Sequence, residues 1–457
     1  MAYKLIVENA ALITLDPSRP ACFNGWMAVG SDGRIEAIGE GRPVGTADER
    51  LDARGRFVAP GFVSGHSHLS TSGSRGLGAN CSLYAWADHM TRYTRHCDAD
   101  DIYWVTMHGA LDFLSNGTTT AYDFCDSRLS FYMVEAREMA YGPFKPKEYG
   151  FEQIRGKVDA GMRFINSIMI NDQIGTDSEI SDRFGESIAF ADSLERPDLH
   201  LSHAISGSVQ WSSDARTAHR EVSIMRCYGV VNQPHFLETP ENLEFQRSKF
   251  AWYEEAGALG PDLIFGHFIH PTEEMKCKCA SCNVAMIWQP NANGRLGSGF
   301  ADIPGMLAKG MRIGIGLDDQ AASDISDPWQ NMRMGLYMQR AHNQNPEILS
   351  VEQMLWLHTM GSANALGIGD RVGSLEVGKY ADFLLVDPRA PDLGPVWNPI
   401  ATYVLAVGPR NLKEVYVGGS CVSRDGISTN PLAARASHEL HARLARIAAE
   451  QNLPVGM

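Results

Sequence analysis

Gly65-His66-Ser67-His68 sets two imidazoles two residues apart behind an apolar run, and in an extended strand that spacing turns both rings to one face. Two neutral imidazoles aimed at one point can share a divalent cation. Such a pair also arises by chance, but three further segments end in groups of the same kind: His235-Phe236-Leu237-Glu238-Thr239, Gly266-His267 and Gly316-Leu317-Asp318-Asp319. As ligands, His66, His68, His235 and Asp318 make a nitrogen-rich set with one carboxylate, suited to one divalent ion, zinc first, with iron, manganese and cobalt as alternatives. An ion so held lowers the pKa of its water to about 7 and makes hydroxide available at neutral pH. Asp318 would take the proton of the attacking water, Glu238 would pass one to the leaving group, and His267 would stabilise the charge that develops.

The groups must then be brought together by their elements. Short apolar stretches at 61–65, 118–124, 162–170, 199–205, 229–232, 263–266, 284–288 and 312–316 alternate with longer helical patterns. Eight βα units in one run predict a (β/α)8 barrel, in which chemistry sits on the loops after the strands' carboxyl ends. The ligand-type residues fall at those ends. Strand texture with tight turns fills the first sixty residues, at 4–8, 11–15, 26–29 and 35–38, and returns at 381–387 and 414–419. The expected divisions are 1–58 and 371–430 as β-rich ends, 59–370 as the barrel and 431–457 as a terminal helix and tail.

The 457 residues, 44% hydrophobic and 21% charged, supply a sizeable core without staples. Lys plus Arg of 40 against Asp plus Glu of 54 gives 40 − 54 = −14, a balance that repels phosphate backbones and anionic lipid, so neither nucleic acid nor membrane is expected as a partner. No stretch approaches a membrane span, and Glu8 and Asn9 arrive too early for an export signal. A cytoplasmic protein is expected. Nine cysteines, an odd number, then read as reduced thiols.

Several motifs together resemble the amidohydrolase superfamily over nearly the whole chain. Residues 59–68, Ala-Pro-Gly-Phe-Val-Ser-Gly-His-Ser-His, look like its first-strand signature, followed by Arg75-Gly76 and Trp86. Gly117-Thr118-Thr119-Thr120 with Asp123 is similar to its second strand, and His235-Phe236-Leu237-Glu238-Thr239 to the His-x-x-Glu-Thr of the branch with guanine, methylthioadenosine and s-triazine deaminases. Residues 290–299 and 372–382 resemble its seventh-strand loop and the segment that returns the chain to a small β-sandwich. The resemblance implies a sandwich built from both chain ends, a metal-dependent hydrolase acting on a non-peptide C–N bond of a small aromatic or heterocyclic molecule, and assembly into homo-oligomers. Binuclear members bridge two ions with a carbamylated lysine on a middle strand. No lysine lies between Lys157 and Lys249 here, so one ion is expected.

Two chemistries stay open: hydrolytic deamination, and hydrolysis of a urea, carbamate or amide. Where the branch usually reads Gly-Thr-Asp-Gly this chain has Gly316-Leu317-Asp318-Asp319, and the block 324–333 looks closer to hydrolases of aryl-urea or thiocarbamate compounds. The alternatives are a thiocarbamate or halogenated-ring hydrolase and a barrel that binds without turnover. Trp86 and Phe236, beside the metal motifs, are the candidates for stacking on a flat substrate. Cys277, Cys279 and Cys282 lack a fourth ligand and read as an incidental cluster, His203 as a core or pocket group, and His438 with His441 as a solvated helix face.

Overall fold

In the computed structural model, which describes residues 2–135 and 138–454, eight parallel strands run in chain order: β1 (Phe62–His68), β2 (Thr118–Phe124), β3 (Arg163–Ile168), β4 (His200–Gly207), β5 (Val231–Phe236), β6 (Ile264–His267), β7 (Ala285–Trp288) and β8 (Arg312–Ile315). Each pairs with the next. Beyond β8 the pair Asp318–Asp319 bonds parallel to Ser67 and His68 of β1, so the strand order closes on itself as a (β/α)8 barrel. Every residue of β2, β6 and β7 is buried, as a sheet covered on both faces demands. The surrounding helices start where side chains satisfy their free amides. Asp98 with Asp101 caps Ala99–Ser115, and Thr176 with Glu179 caps Asp177–Ser193.

Strand positions follow the sequence reading to within a few residues. The largest shift is at β5, expected at 229–232, where the strand pairs Pro234 with Gly207 and continues to His235 and Phe236. An antiparallel hairpin, Leu129–Glu135 with Glu138–Phe144, inserted between β2 and the helix Glu148–Ala160, was not anticipated.

The two chain ends meet in a second, nine-stranded sheet. Phe57–Pro60 joins it, antiparallel to Phe383–Val386, which also pairs with Leu412–Val417. The separate strands expected at 4–8 and 11–15 are one, Ala2–Leu12, whose register shifts between Val7 and Ala10 with Asn9 at φ 54°. Thr46–Asp52 adds a parallel neighbour to it. Arg163 at the start of β3 ties the two bodies together: its Nε donates to Asp382 Oδ2 across 2.6 Å, both side chains being buried. The helix Ala433–Gln451 is anchored by Arg443 and Arg446, which donate to the buried Asp101. Residues 455–457 of the expected tail lie outside the described residues. No described helix is long and apolar enough to cross a membrane.

Candidate metal centre

Alternation along β1 sends His66 and His68 into the barrel mouth, and β5 delivers His235 beside them. The space for His66 is made by two glycines: a Cβ on Gly266 would fall 2.9 Å from its Nδ1, and one on Gly316 would fall 2.7 Å from its Cβ. His68 Nε2 then lies 3.3 Å from His66 Nε2 and 3.1 Å from His235 Nε2, while Asp318 Oδ1 stands 3.3 Å from His66 Nε2 and 3.7 Å from His68 Nε2. Four donors at about 2.05 Å from one ion in a tetrahedron are about 3.3 Å apart. Donors of His66, His68 and Asp318 therefore lie within reach of one divalent ion of zinc's size, and His235 Nε2 stands beside them, 3.1 Å from His68 Nε2.

The tautomer of His66 agrees. Gln233 donates its Nε2 to Gly65 O at 3.0 Å, which turns its Oε1 toward His66 Nδ1 at 2.6 Å. An oxygen there accepts the Nδ1 proton and leaves Nε2 as a bare lone pair facing the centre. Burial, reinforced by the neighbouring His66 imidazole, lowers His68 to about 3, and burial followed by His66, His68 and His267 holds His235 well below the usual histidine range. Both rings are thus neutral near pH 7, the form that binds metal.

Three residues reach the centre through left-handed backbone: Leu237 at φ 54°, which swings Glu238 back over the site, His267 at φ 67° and Asp318 at φ 65°. Glu238 Oε2 and His267 Nε2 are buried, lack hydrogen-bond partners and stand 3.6 Å apart. His267 Nε2 also lies 3.9 Å from Asp318 Oδ2. Burial, then the charges of Asp318 and Asp319, pushes the Glu238 carboxyl well above its usual range, which favours the protonated acid. Burial opposes the charge on Asp318 too, but the imidazoles of His267, His66 and His68 outweigh it and keep that carboxyl low.

Above these groups opens a cavity of about 1040 Å³, its mouth included, with His68, His235, Glu238, His267, Asp318 and Asp319 in its floor. Its walls are mostly apolar. Trp86 is among them, fixed by an Nε1 donation to Ala321 O at 3.1 Å, and so is Trp211, whose ring centre lies 6.5 Å from that of His235. The hairpin contributes Leu129, Phe131, Met139 and Tyr141. Phe236 corrects the sequence expectation: it faces away from the cavity and packs on Phe265, Tyr253 and Phe268 in the core. Since His235 points inward, its strand neighbour must point out to the helices.

Gln233 was missed, although it shares the inward face of β5 with His235 and that parity could have identified it. Phe124, whose ring lies stacked 4.8 Å from His68, follows from no motif. Asn293 sits in the recognised seventh-strand loop, but only the structure shows it touching His267, Nδ2 to Nδ1 at 2.8 Å. His203 is buried against His200 and Phe184, outside the cavity lining. Cys277 is exposed and Cys279 buried on one helix, and no group of potential metal ligands among the described residues includes them. His438 and His441 lie on the terminal helix, where His441 Nδ1 donates to Ser437 O at 2.7 Å.

The amidohydrolase family model matches residues 57–422. A 5-methylthioadenosine/S-adenosylhomocysteine deaminase from Syntrophobacter fumaroxidans is 28% identical over 441 residues, covering 92% of this chain and 93% of that protein. A 5'-deoxyadenosine deaminase from Methanosarcina acetivorans is 26% identical, covering 91% of each. Among solved structures, an adenosine deaminase from Xanthomonas campestris with bound zinc superposes with a TM-score of 0.85 at 20% identity, covering 98% of this chain and 99% of that one. An atrazine chlorohydrolase from Arthrobacter aurescens complexed with zinc gives 0.82 at 19%, with 96% and 100% covered.

Proposed function

Because the chain belongs to the amidohydrolase family, we propose that its barrel mouth is a mononuclear zinc site that hydrolyses a C–N bond of a small, flat, largely apolar heterocycle, with deamination as the leading chemistry. The observation that carries this reading is one cluster: His66, His68 and Asp318 within reach of one ion, with His235 3.1 Å from His68, beside two buried, partnerless groups, Glu238 Oε2 and His267 Nε2, under an apolar cavity. The zinc in two structural relatives and the deaminases among the curated ones support it.

His66, His68, His235 and Asp318 would hold the ion, which when bound supplies a hydroxide nucleophile at neutral pH. The remaining work falls to the chain's own side chains. Asp318, whose second oxygen faces His267, accepts the proton of the attacking water. Glu238, whose burial favours the protonated acid, donates to the departing nitrogen. His267 hydrogen-bonds the oxygen as charge gathers on it. Trp86 and the hairpin side chains hold the ring and exclude water.

A second reading, release of an amine from an aryl urea, carbamate or amide, is favoured by the apolar walls and by the absence of any lysine or arginine among the described cavity residues. One experiment separates the two: purified protein is assayed for bound metal and then incubated with aminopurines, amino-triazines, aryl ureas and carbamates, and ammonia and aromatic amine are measured. Ammonia release by metal-loaded protein alone is the expected result. Amine without ammonia selects the second reading, and turnover in chelator-treated protein overturns both. Homo-oligomeric assembly and a cytoplasmic location belong to the same proposal, supported by the acidic balance and the family's habit; sedimentation tests the first.

A further inference from the structure

His267 raises a question of its own. Its ring lies close enough to His66 and His235 for the three to share an ion, yet His66 and His68 also group with Asp318 without it. A neutral imidazole contributes to a metal through a bare nitrogen and to a developing oxyanion through an N–H, so the proton's place on the ring decides which task His267 can do. We infer that Asn293 is a positioning residue that fixes His267 as a hydrogen-bond donor and keeps it out of the metal's ligand set.

Two independent contacts carry this. Asn293, itself 1% exposed, presents Nδ2 to His267 Nδ1 at 2.8 Å; an amide N–H requires an acceptor, so Nδ1 is bare and the proton sits on Nε2. On the other side Nε2 faces Glu238 Oε2 at 3.6 Å and Asp318 Oδ2 at 3.9 Å. An N–H pointing at the ionised Asp318 carboxylate is favourable, whereas a lone pair there would meet that carboxylate's own lone pairs. The ring is held for this role by its backbone, whose N–H donates to Gln289 Oε1 at 3.0 Å, and Asn293 is held by donating its N–H to Gln289 O at 3.0 Å. The contrast with His66 is direct. There an amide oxygen, that of Gln233, takes the Nδ1 proton and frees Nε2 for metal. Two side-chain amides of opposite orientation thus sort two buried imidazoles of one cluster into ligand and donor.

The inference rests on the hydrolase reading for its purpose, but its test does not require turnover. Two-bond ¹H–¹⁵N correlation spectra of histidine-labelled protein, metal-free and zinc-loaded, distinguish protonated from bare ring nitrogens, and loss of one spin system in His267→Asn assigns the ring. The expected wild-type result is Nε2–H in both forms. Asn293→Asp places a carboxylate against Nδ1 and should move the proton there, and Asn293→Leu should leave a mixture of tautomers. Zinc content should stay at one per chain in each variant, while kcat on whichever panel compound is turned over falls at least tenfold in Asn293→Asp with KM little changed. A wild-type Nδ1–H on His267, or an Asp variant with the wild-type tautomer, overturns the inference. The wild-type spectrum decides even if both variants misfold. Failure of every panel compound counts against the proposed reaction, and the spectra still judge Asn293.

Discussion

Gln233 Oε1 receives the Nδ1 proton of His66 across 2.6 Å, inside a barrel where a Cβ on Gly266 would fall 2.9 Å from that same nitrogen. This hydrogen bond orients the ring and raises the basicity of its Nε2. Gln233→Leu removes the acceptor and keeps the bulk, so zinc affinity should weaken by about 10- to 100-fold. Competition with a chelator of known affinity measures it. An unchanged dissociation constant would mean that His66 needs no outer partner.

Glu238→Gln keeps the size and removes the transferable proton. Zinc should remain bound, and kcat should fall by about 10²- to 10⁴-fold, the usual worth of general acid–base catalysis. Because the substituted amide can still hydrogen-bond, KM should move much less. A kcat within twofold of the wild type would remove Glu238 from the proton path.

Trp86 and Phe236 flank the same motifs, yet one lines the cavity and the other the core. Phe236→Leu should lower stability by roughly 1 kcal/mol, as a near volume-conserving core change does, and leave KM alone. Trp86→Leu should raise KM several-fold. Denaturant melts and steady-state kinetics on the two variants check the pair together; a KM effect from Phe236→Leu would contradict its placement.

These contrasts show what the sequence could carry. That His66, His68, His235 and Asp318 would come together was legible because strand parity and strand-end position are local, and each residue's neighbours state them. Phe236 was misplaced although the same parity, applied to His235, excludes it from the mouth. The hairpin Leu129–Glu135 with Glu138–Phe144 was not legible, since neither a strong turn pair nor clean alternation marks it. Asn293 and Gln233 act through partners 26 and 167 residues away, and such contacts are fixed only once the barrel closes.

The buried carboxyl of Glu221 supports the cavity from behind. Its Oε1 accepts from the Ser208 amide at 2.7 Å and its Oε2 from Asn232 Nδ2 at 2.7 Å, and Ser208 lines the substrate space. Burial, only partly offset by these donors, pushes its pKa from an ordinary 4.5 to about 7. Below the unfolded value both states are protonated and its contribution is fully present. Between the two values the unfolded chain ionises while the folded one keeps its proton, so stability is lost as pH rises through this window, by on the order of 3 kcal/mol. Glu221→Gln does not titrate, and Asn232 Oδ1, buried without a partner, lets that amide turn and accept from the new Nε2. Relative to wild type, the variant should therefore gain stability between pH 5 and pH 8, and chemical denaturation across that range reads it directly. Parallel stability curves for the two proteins would show that Glu221 ionises normally in the folded state.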